Sequence, residues 1–230
     1  MTVPTVEARP AATSMLVRDT DRGIEVLMVR RPAGGFFGGL TVFPGGAVDA
    51  DDDSELASQI VRSDDPDRVF RVAALRELAE ETGIALTDRG PLPAPEGRGI
   101  ALLQAMGDAG LRLDGSALTL ISRWVTPAHA PARYDTRFFL ARAEGAPDIR
   151  LDTTELVDHM WLTPSAALHR QEIGELEMFL PTISHLRWLQ HRSTVDDAVS
   201  SAAGAVGRSL IQPQLMDDGS IVPIHMPGDD

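Results

Sequence analysis

Arg76-Glu77-Leu78-Ala79-Glu80-Glu81-Thr82-Gly83-Ile84 decides how the rest of this 230-residue chain is read. A helix turns by about 100° per residue, so Glu77, Glu80 and Glu81, at i, i+3 and i+4, crowd one face. Like charges at these spacings destabilise a helix by about 0.2–0.5 kcal/mol per pair. Gly83 reads as the residue that ends the helix, which puts Glu80 and Glu81 at the negative end of its dipole. Two local rules are broken within one turn, and such breaks are expected at functional sites. A divalent cation would compensate for both. Hard oxygen ligands on a rigid helix suit Mg²⁺ or Mn²⁺, and Mg²⁺ commonly takes carboxylates together with substrate phosphates.

Outward from this stretch, Asp65-Pro66 reads as the N-cap and first residue of the helix, which runs to about Thr82. Val72, Leu75, Leu78 and Ala79 form its apolar face and should anchor it to a sheet. Upstream, Thr13–Arg18 and Ile24–Arg30 have strand character around the turn Asp19-Thr20-Asp21-Arg22-Gly23, and Leu40–Phe43 resumes it after a Gly-rich segment. Downstream, Arg89–Arg98 is rich in Pro and Gly and reads as a loop. Ile100–Met106 reads as a short helix, and Leu118–Val125, Tyr134–Arg142 and Glu155–Leu162 as strands. Further helices are expected from Thr163-Pro164, over Pro181–Gln190 and over Thr194–Val206, and the last eighteen residues read as turns wrapping the surface. Strands with unevenly interleaved helices suit an α/β chain whose mixed β-sheet is sandwiched by helices. Residues 1–180 would form the main domain, with 181–230 a helical C-terminal extension packed on it.

Composition narrows the function. Hydrophobic residues make up 43% and charged residues 24%, enough for a core of ordinary kind. A net charge of −13 opposes a general nucleic-acid binder, which needs a basic surface. Every basic residue is Arg, and there is no Cys, so disulfides, thiolate metal sites and Cys nucleophiles are excluded. No apolar run approaches the ~18–20 residues of a membrane span, and the N-terminal stretch lacks a basic-then-apolar signal pattern. The expectation is a cytoplasmic protein without a membrane partner.

The stretch from Arg76 to Ile84 resembles the second half of the Nudix box, G-x5-E-x7-R-E-U-x-E-E-x-G-U with U aliphatic, at every fixed position. Phe43-Pro44-Gly45-Gly46 resembles the strand end and glycine pair that precede the box. From Gly46 to Arg76 there are 30 positions where the uninterrupted pattern has 14, so sixteen residues are inserted. They include the acidic run Asp49-Ala50-Asp51-Asp52-Asp53-Ser54-Glu55, which reads as a solvated lid or surface excursion. Counted back from Arg76, the first Glu of the pattern falls on Arg68, with Asp65 or Asp67 nearby to replace it.

The resemblance implies a Nudix α/β/α sandwich and hydrolysis of a diphosphate linkage in a small nucleoside diphosphate derivative. It implies Glu77, Glu80 and Glu81 as metal ligands, with the Gly45 carbonyl a further one, and Glu80 or a Glu outside the box as general base. Arg76, one turn before Glu80, is placed to pair with it and hold its rotamer. Glu155, on a strand leading to Leu162-Thr163-Pro164, is the additional carboxylate where Nudix proteins often carry one. Arg30, Arg31 and Arg137 are the candidate phosphate contacts, and His129 is a weaker candidate. Arg30–Gly46 partly resembles the motif of coenzyme A-cleaving members, with Arg30, Gly39 and Phe43-Pro44-Gly45-Gly46 in register, but Arg31 replaces its Ser and Gly35 its second Arg. Arg123-Trp124-Val125-Thr126-Pro127, Asp135–Leu140, Leu180-Pro181-Thr182 and Pro227-Gly228-Asp229 resemble the acyl-CoA diphosphatase branch and its bacterial relatives. Coenzyme A or an acyl-CoA is therefore the leading substrate. A nucleotide-sugar, ADP-ribose or dinucleotide pyrophosphatase and a non-catalytic ligand sensor are the alternatives, and a homodimer is the expected assembly if there is one.

Overall fold

The computed structural model describes residues 6–34, 38–63, 65–128, 130, 132–204, 210–213 and 226. Twelve strands lie among them. They are β1 (Arg9–Thr20), β2 (Gly23–Arg30), β3 (Thr41–Val42), β4 (Gly45–Ala47), β5 (Val61–Arg62) and β6 (Ile84–Thr87), then β7 (Gly90–Pro93), β8 (Leu113–Asp114), β9 (Thr119–Val125), β10 (Tyr134–Arg142), β11 (Asp158–Leu162) and β12 (Leu210–Ile211). The helices are α1 (Glu55–Ile60), α2 (Arg68–Thr82), α3 (Gly99–Asp108), α4 (Pro164–Glu172), α5 (Leu180–Leu189) and α6 (Val195–Gly204).

β1 and β2 form a hairpin, antiparallel from Val17 opposite Val26 to Thr20 opposite Gly23. The Thr20 hydroxyl closes it by donating to the Gly23 carbonyl and accepting the Arg22 amide. β1 also runs parallel to β10, from Arg9 beside Tyr134 to Val17 beside Arg142. The large sheet has the order β11-β2-β1-β10-β9-β12, with β3 added to β2 and β4 to β1. It is mixed, as the sequence order suggests.

Side chains alternate across a strand, and β1 uses both faces. Ala12 and Leu16 join the core around α2, and the Ser14 hydroxyl donates to the Ala74 carbonyl at 3.2 Å. Met15 and Val17 face the opposite core, built with α4, α5 and α6. Val72, Leu75, Leu78 and Ala79 are all buried, so the apolar face read from the sequence is the face that docks. The helices near the C-terminal end thus pack on the same sheet as the rest of the chain.

Several elements depart from the sequence reading. Asp65 does not cap α2; its Oδ1 accepts the Asp67 amide at 2.8 Å and its Oδ2 pairs with Arg71 at 2.7 Å, and the helix starts at Arg68. Arg89–Arg98 is not all loop, because β7 pairs with β6 from Ile84 opposite Pro93 to Thr87 opposite Gly90. Two prolines are tolerated there because β7 is an edge strand, where missing amide donors cost little. β11 begins at Asp158, which leaves Glu155 in the preceding turn and off the strand. The segment inserted before α2 is no surface excursion. It forms α1 and β5, buries Ala57, Ile60 and Val61 in the core around α2, and joins β6, β7 and β8 in a second sheet. The expected surface turns at the end of the chain, with Pro227-Gly228-Asp229, lie outside the described residues apart from 213 and 226, as do Gly35 and His129.

Candidate active site

α2 ends where the sequence says it should. Gly83 adopts φ 72°, the left-handed conformation glycine reaches without strain, and its amide returns to the Ala79 carbonyl. Its last two turns carry the acidic face toward β4, so Glu77 and Glu81 meet the Gly45-Gly46 backbone. A Cβ on Gly46 would lie 2.5 Å from the Glu77 carboxylate, so only glycine lets this carboxylate sit so close to the strand.

Arg76 organises the cluster from beneath. It is 1% exposed, and its guanidinium grips Asp52 in a fork, Nε to Oδ1 at 2.7 Å and Nη2 to Oδ2 at 3.0 Å. Nη1 donates to Glu77 at 2.9 Å and to both oxygens of Glu80 at 3.3 Å, and Nη2 donates to the Ala47 carbonyl at 3.1 Å. Burial alone would lower the guanidinium pKa. The hydrogen bond to Asp52 and the charges of Glu77, Asp52 and Glu80 outweigh it, so the pKa is raised and the cation is permanent.

Asp52 is the residue the sequence reading missed. It is fully buried, so the acidic run is not a solvated insertion at this position. It stands six residues after Gly46, where the box pattern places its first Glu when counted forward from the glycines. The extra residues therefore follow Asp52. Asp65 and Asp67 take other partners, Arg71 at 2.7 Å and Arg137 at 3.6 Å.

The three glutamates have different surroundings. Glu81 is 1% exposed; its Oε2 accepts the Gly45 amide at 2.9 Å, and its buried Oε1 accepts no hydrogen bond among the described residues and lies 3.7 Å from Arg31. Burial pushes its pKa up to about 8, Arg31 opposing and Glu77 reinforcing the shift. Burial likewise pushes Glu77 up to about 7, Arg76 opposing and Glu80 reinforcing. Glu80 shares Arg76 Nη1 with Glu77, and its Oε1 also accepts the Gly99 amide at 2.7 Å. Hence no three acidic or His groups among the described residues stand ready as a cation cage. The donor set nevertheless fits a hard cation: the Glu77 charge acts on Glu81, and the buried Glu81 Oε1 accepts no hydrogen bond among the described residues.

Glu155 reaches this group from the turn before β11. Its charge raises the pKa of both Glu77 and Glu81, so it lies within their electrostatic range. Arg31 donates from Nη2 to the Gly45 carbonyl at 3.0 Å. Arg30 stands beside it and pairs with Asp158 at 3.4 Å. The structure does not bring Arg137 to the glutamates. Its guanidinium is committed to Asp135 at 2.5 Å and Asp67 at 3.6 Å, and lies 3.9 Å over the Phe70 ring at the start of α2.

On the other side of β4 the sheet opens into a cavity of about 530 Å³. Gly45, Gly46 and Ala47 form the wall shared with the glutamates, and Arg31 is the one charged side chain among its described lining residues. Val42, Phe43, Trp124, Phe138, Phe179 and Leu180 make most of the remainder apolar. Behind it His185 is fully buried, stacked on Phe138 at 4.2 Å and tied to the Ser122 hydroxyl at 2.8 Å and the Pro181 carbonyl at 2.6 Å.

Residues 8–102 match the NUDIX domain model. The chain also superimposes on a NUDIX hydrolase from Alicyclobacillus acidocaldarius with a TM-score of 0.76 and 34% identity, covering 86% of this chain and 98% of that one. The chain belongs to the Nudix hydrolase family. Putative nudix hydrolase 7 of Caenorhabditis elegans is 31% identical over 187 residues, covering 77% of this chain and 59% of its own length. Acyl-coenzyme A diphosphatase NUDT19 of Homo sapiens is 27% identical, covering 75% of this chain and 62% of its own length. The chain thus spans about three fifths of these two curated relatives. The Nudix box pattern holds at every fixed position from Arg76 to Ile84, Asp52 stands where the pattern has its first Glu counted from Gly46, and sixteen additional residues lie between Asp52 and Arg76. The mixed sheet between helical layers is the Nudix fold, and no helix among the described residues is long and apolar enough to cross a membrane.

Proposed function

We propose that the chain hydrolyses the diphosphate bond of a nucleoside diphosphate-linked substrate with Mg²⁺ or Mn²⁺, and that coenzyme A or an acyl-CoA is that substrate. The observation that carries the reading is the buried Glu81 oxygen that accepts no hydrogen bond among the described residues, on a carboxylate set against the Gly45 backbone and under the charge of Glu77. Glu77, Glu81, the Gly45 carbonyl and Glu155 would hold the ion, joined by Glu80 once it leaves the Gly99 amide. Such an ion supplies charge neutralisation at the phosphoryl oxygens and a bound water of lowered pKa.

The chain's own residues do the rest. Arg76, locked by Asp52, fixes the rotamers of Glu77 and Glu80, so the carboxylates need little reorganisation when the substrate arrives. Glu80, whose Oε1 accepts the Gly99 amide, is the group that takes a proton from water. Arg31 reaches both the Gly45 carbonyl and the cavity, where it can accept a phosphate leaving this wall, with Arg30 beside it. The apolar cavity suits the pantetheine arm, which carries no charge. The name of the human relative supports the same class. Residues 1–180 supply the catalytic groups, and the extension from Pro181 closes the cavity with Pro181 and Thr182.

Specificity constants for coenzyme A, dephospho-coenzyme A and ADP-ribose test the substrate, with products identified by mass. Coenzyme A should give 3′,5′-ADP and be preferred over dephospho-coenzyme A by tenfold or more. Equal cleavage of the two, or preference for ADP-ribose, moves the assignment to the general dinucleotide class.

A further inference from the structure

Three segments meet at the C-terminal end of α2. The Ala94 amide donates to the Gly83 carbonyl at 2.8 Å. The Arg150 amide donates to the Thr82 carbonyl at 2.8 Å, and the Asp152 amide to the Glu81 carbonyl at 3.2 Å. The side chain of Arg98 spans the gap between the last two segments. It bonds Asp152 and Glu155 through separate nitrogens and the Thr154 hydroxyl at 2.8 Å. The next residue, Gly99, holds Glu80 through its amide. Arg98 therefore ties Asp152 to Glu155, whose charge acts on Glu77 and Glu81 from outside the box, and neither sequence pattern marks it.

Arg76 and Arg98 differ in freedom. Arg76 is buried and held on every side. The Arg98 side chain is 46% exposed and its partner Glu155 is 42% exposed. Exposed ion pairs contribute little and exchange at small cost, so Arg98 can change partners without disturbing the core. The Arg guanidinium also takes carboxylate and phosphate with the same fork of donors.

We infer that Arg98 is an exchangeable counter-ion that pairs with Glu155 and Asp152 in the free protein and passes to a phosphate of the substrate when a cation takes Glu155. It is a substrate-positioning residue, and it makes cation and phosphate binding mutually supportive. This rests on the diphosphate reading above, but its first half concerns the free protein.

The test compares wild type with Arg98→Ala and Arg98→Lys in two titrations. Free Mn²⁺ is followed by electron paramagnetic resonance without substrate, and ADP binding by calorimetry at saturating Mn²⁺. Arg98→Ala should bind Mn²⁺ at least threefold more tightly, because Glu155 loses its competitor, yet bind ADP about tenfold more weakly. Arg98→Lys should recover much of the ADP affinity. Mn²⁺ affinity that is unchanged or weaker in Arg98→Ala, or equal ADP affinity in the two proteins, overturns the exchange while leaving the metal site standing. Wild type that binds no Mn²⁺ overturns both. A merely structural Arg98 would weaken both ligands together, so opposite movements are the signature.

Discussion

Asp52→Asn is the substitution that most sharply separates a built site from a decorated surface. Asp52 is fully buried and gives both oxygens to Arg76, which is 1% exposed. Removing one partner of a buried ion pair costs about 3–5 kcal/mol because it strands the other charge. Arg76 keeps Glu77, Glu80 and the Ala47 carbonyl, so the lower end, about 3 kcal/mol, is the expected loss. For a chain of this size about 2–4 °C of melting temperature goes with each kcal/mol, giving a drop of about 6–12 °C. Asp53→Asn is the matched control. It removes the same charge one residue away, from a side chain that is 69% exposed and paired with Arg68, and should cost about 0–1 kcal/mol. Urea unfolding of both variants without metal, with unchanged m-values, gives the comparison directly. If Asp52→Asn unfolds within 1 kcal/mol of Asp53→Asn, Asp52 does not complete the box and the argument for its role fails.

The other predictions concern charge and space. Glu81 and Glu77 have folded pKa values raised to about 8 and about 7 from an ordinary 4.5, so without metal they favour folding below pH 4.5 and lose that contribution as pH rises through 7 to 8. Glu81→Gln should therefore raise the metal-free melting temperature by a few degrees at pH 8 and leave it nearly unchanged at pH 4.5, as scanning calorimetry at both pH values can check. His185 titrates the other way: burial lowers its pKa from 6.5 to about 4, so its contribution is complete above pH 6.5 and is lost as pH falls toward 4. The loss is of order 3 kcal/mol, and stability measured by urea unfolding between pH 7 and 4 should lack that acid slope in His185→Phe. In Gly46→Ala the new methyl meets the carboxylate end of the Glu77 side chain and not a backbone atom, so circular dichroism should report an intact fold while Mn²⁺ affinity falls tenfold or more.

What could be read from the chain alone depended on which residue anchored the count. From Arg76 to Ile84 every fixed position of the box was legible, and the docking face of Val72, Leu75, Leu78 and Ala79 followed from helical periodicity. Asp52 was hidden because counting back from Arg76 crosses the additional residues, whereas counting forward from Gly46 lands on it. An acidic run also looks solvated when only its charge is considered; nothing local reveals that Asp52 turns inward to an arginine 24 residues later. β7 was masked by its prolines, which an edge strand accepts. Arg98 carries no motif at all, since its meaning comes from Asp152 and Glu155, more than fifty residues away in sequence.

The most direct test of the account is hydrolysis of acetyl-coenzyme A by wild type and Glu81→Gln, with Mg²⁺ and with chelator, the products being identified by mass spectrometry. Wild type with Mg²⁺ should give 3′,5′-ADP and acetyl-phosphopantetheine, chelator should abolish both products, and Glu81→Gln should be at least a hundredfold slower with its fold retained. Turnover that survives chelation, or a Glu81→Gln variant as active as wild type at saturating Mg²⁺, would contradict it.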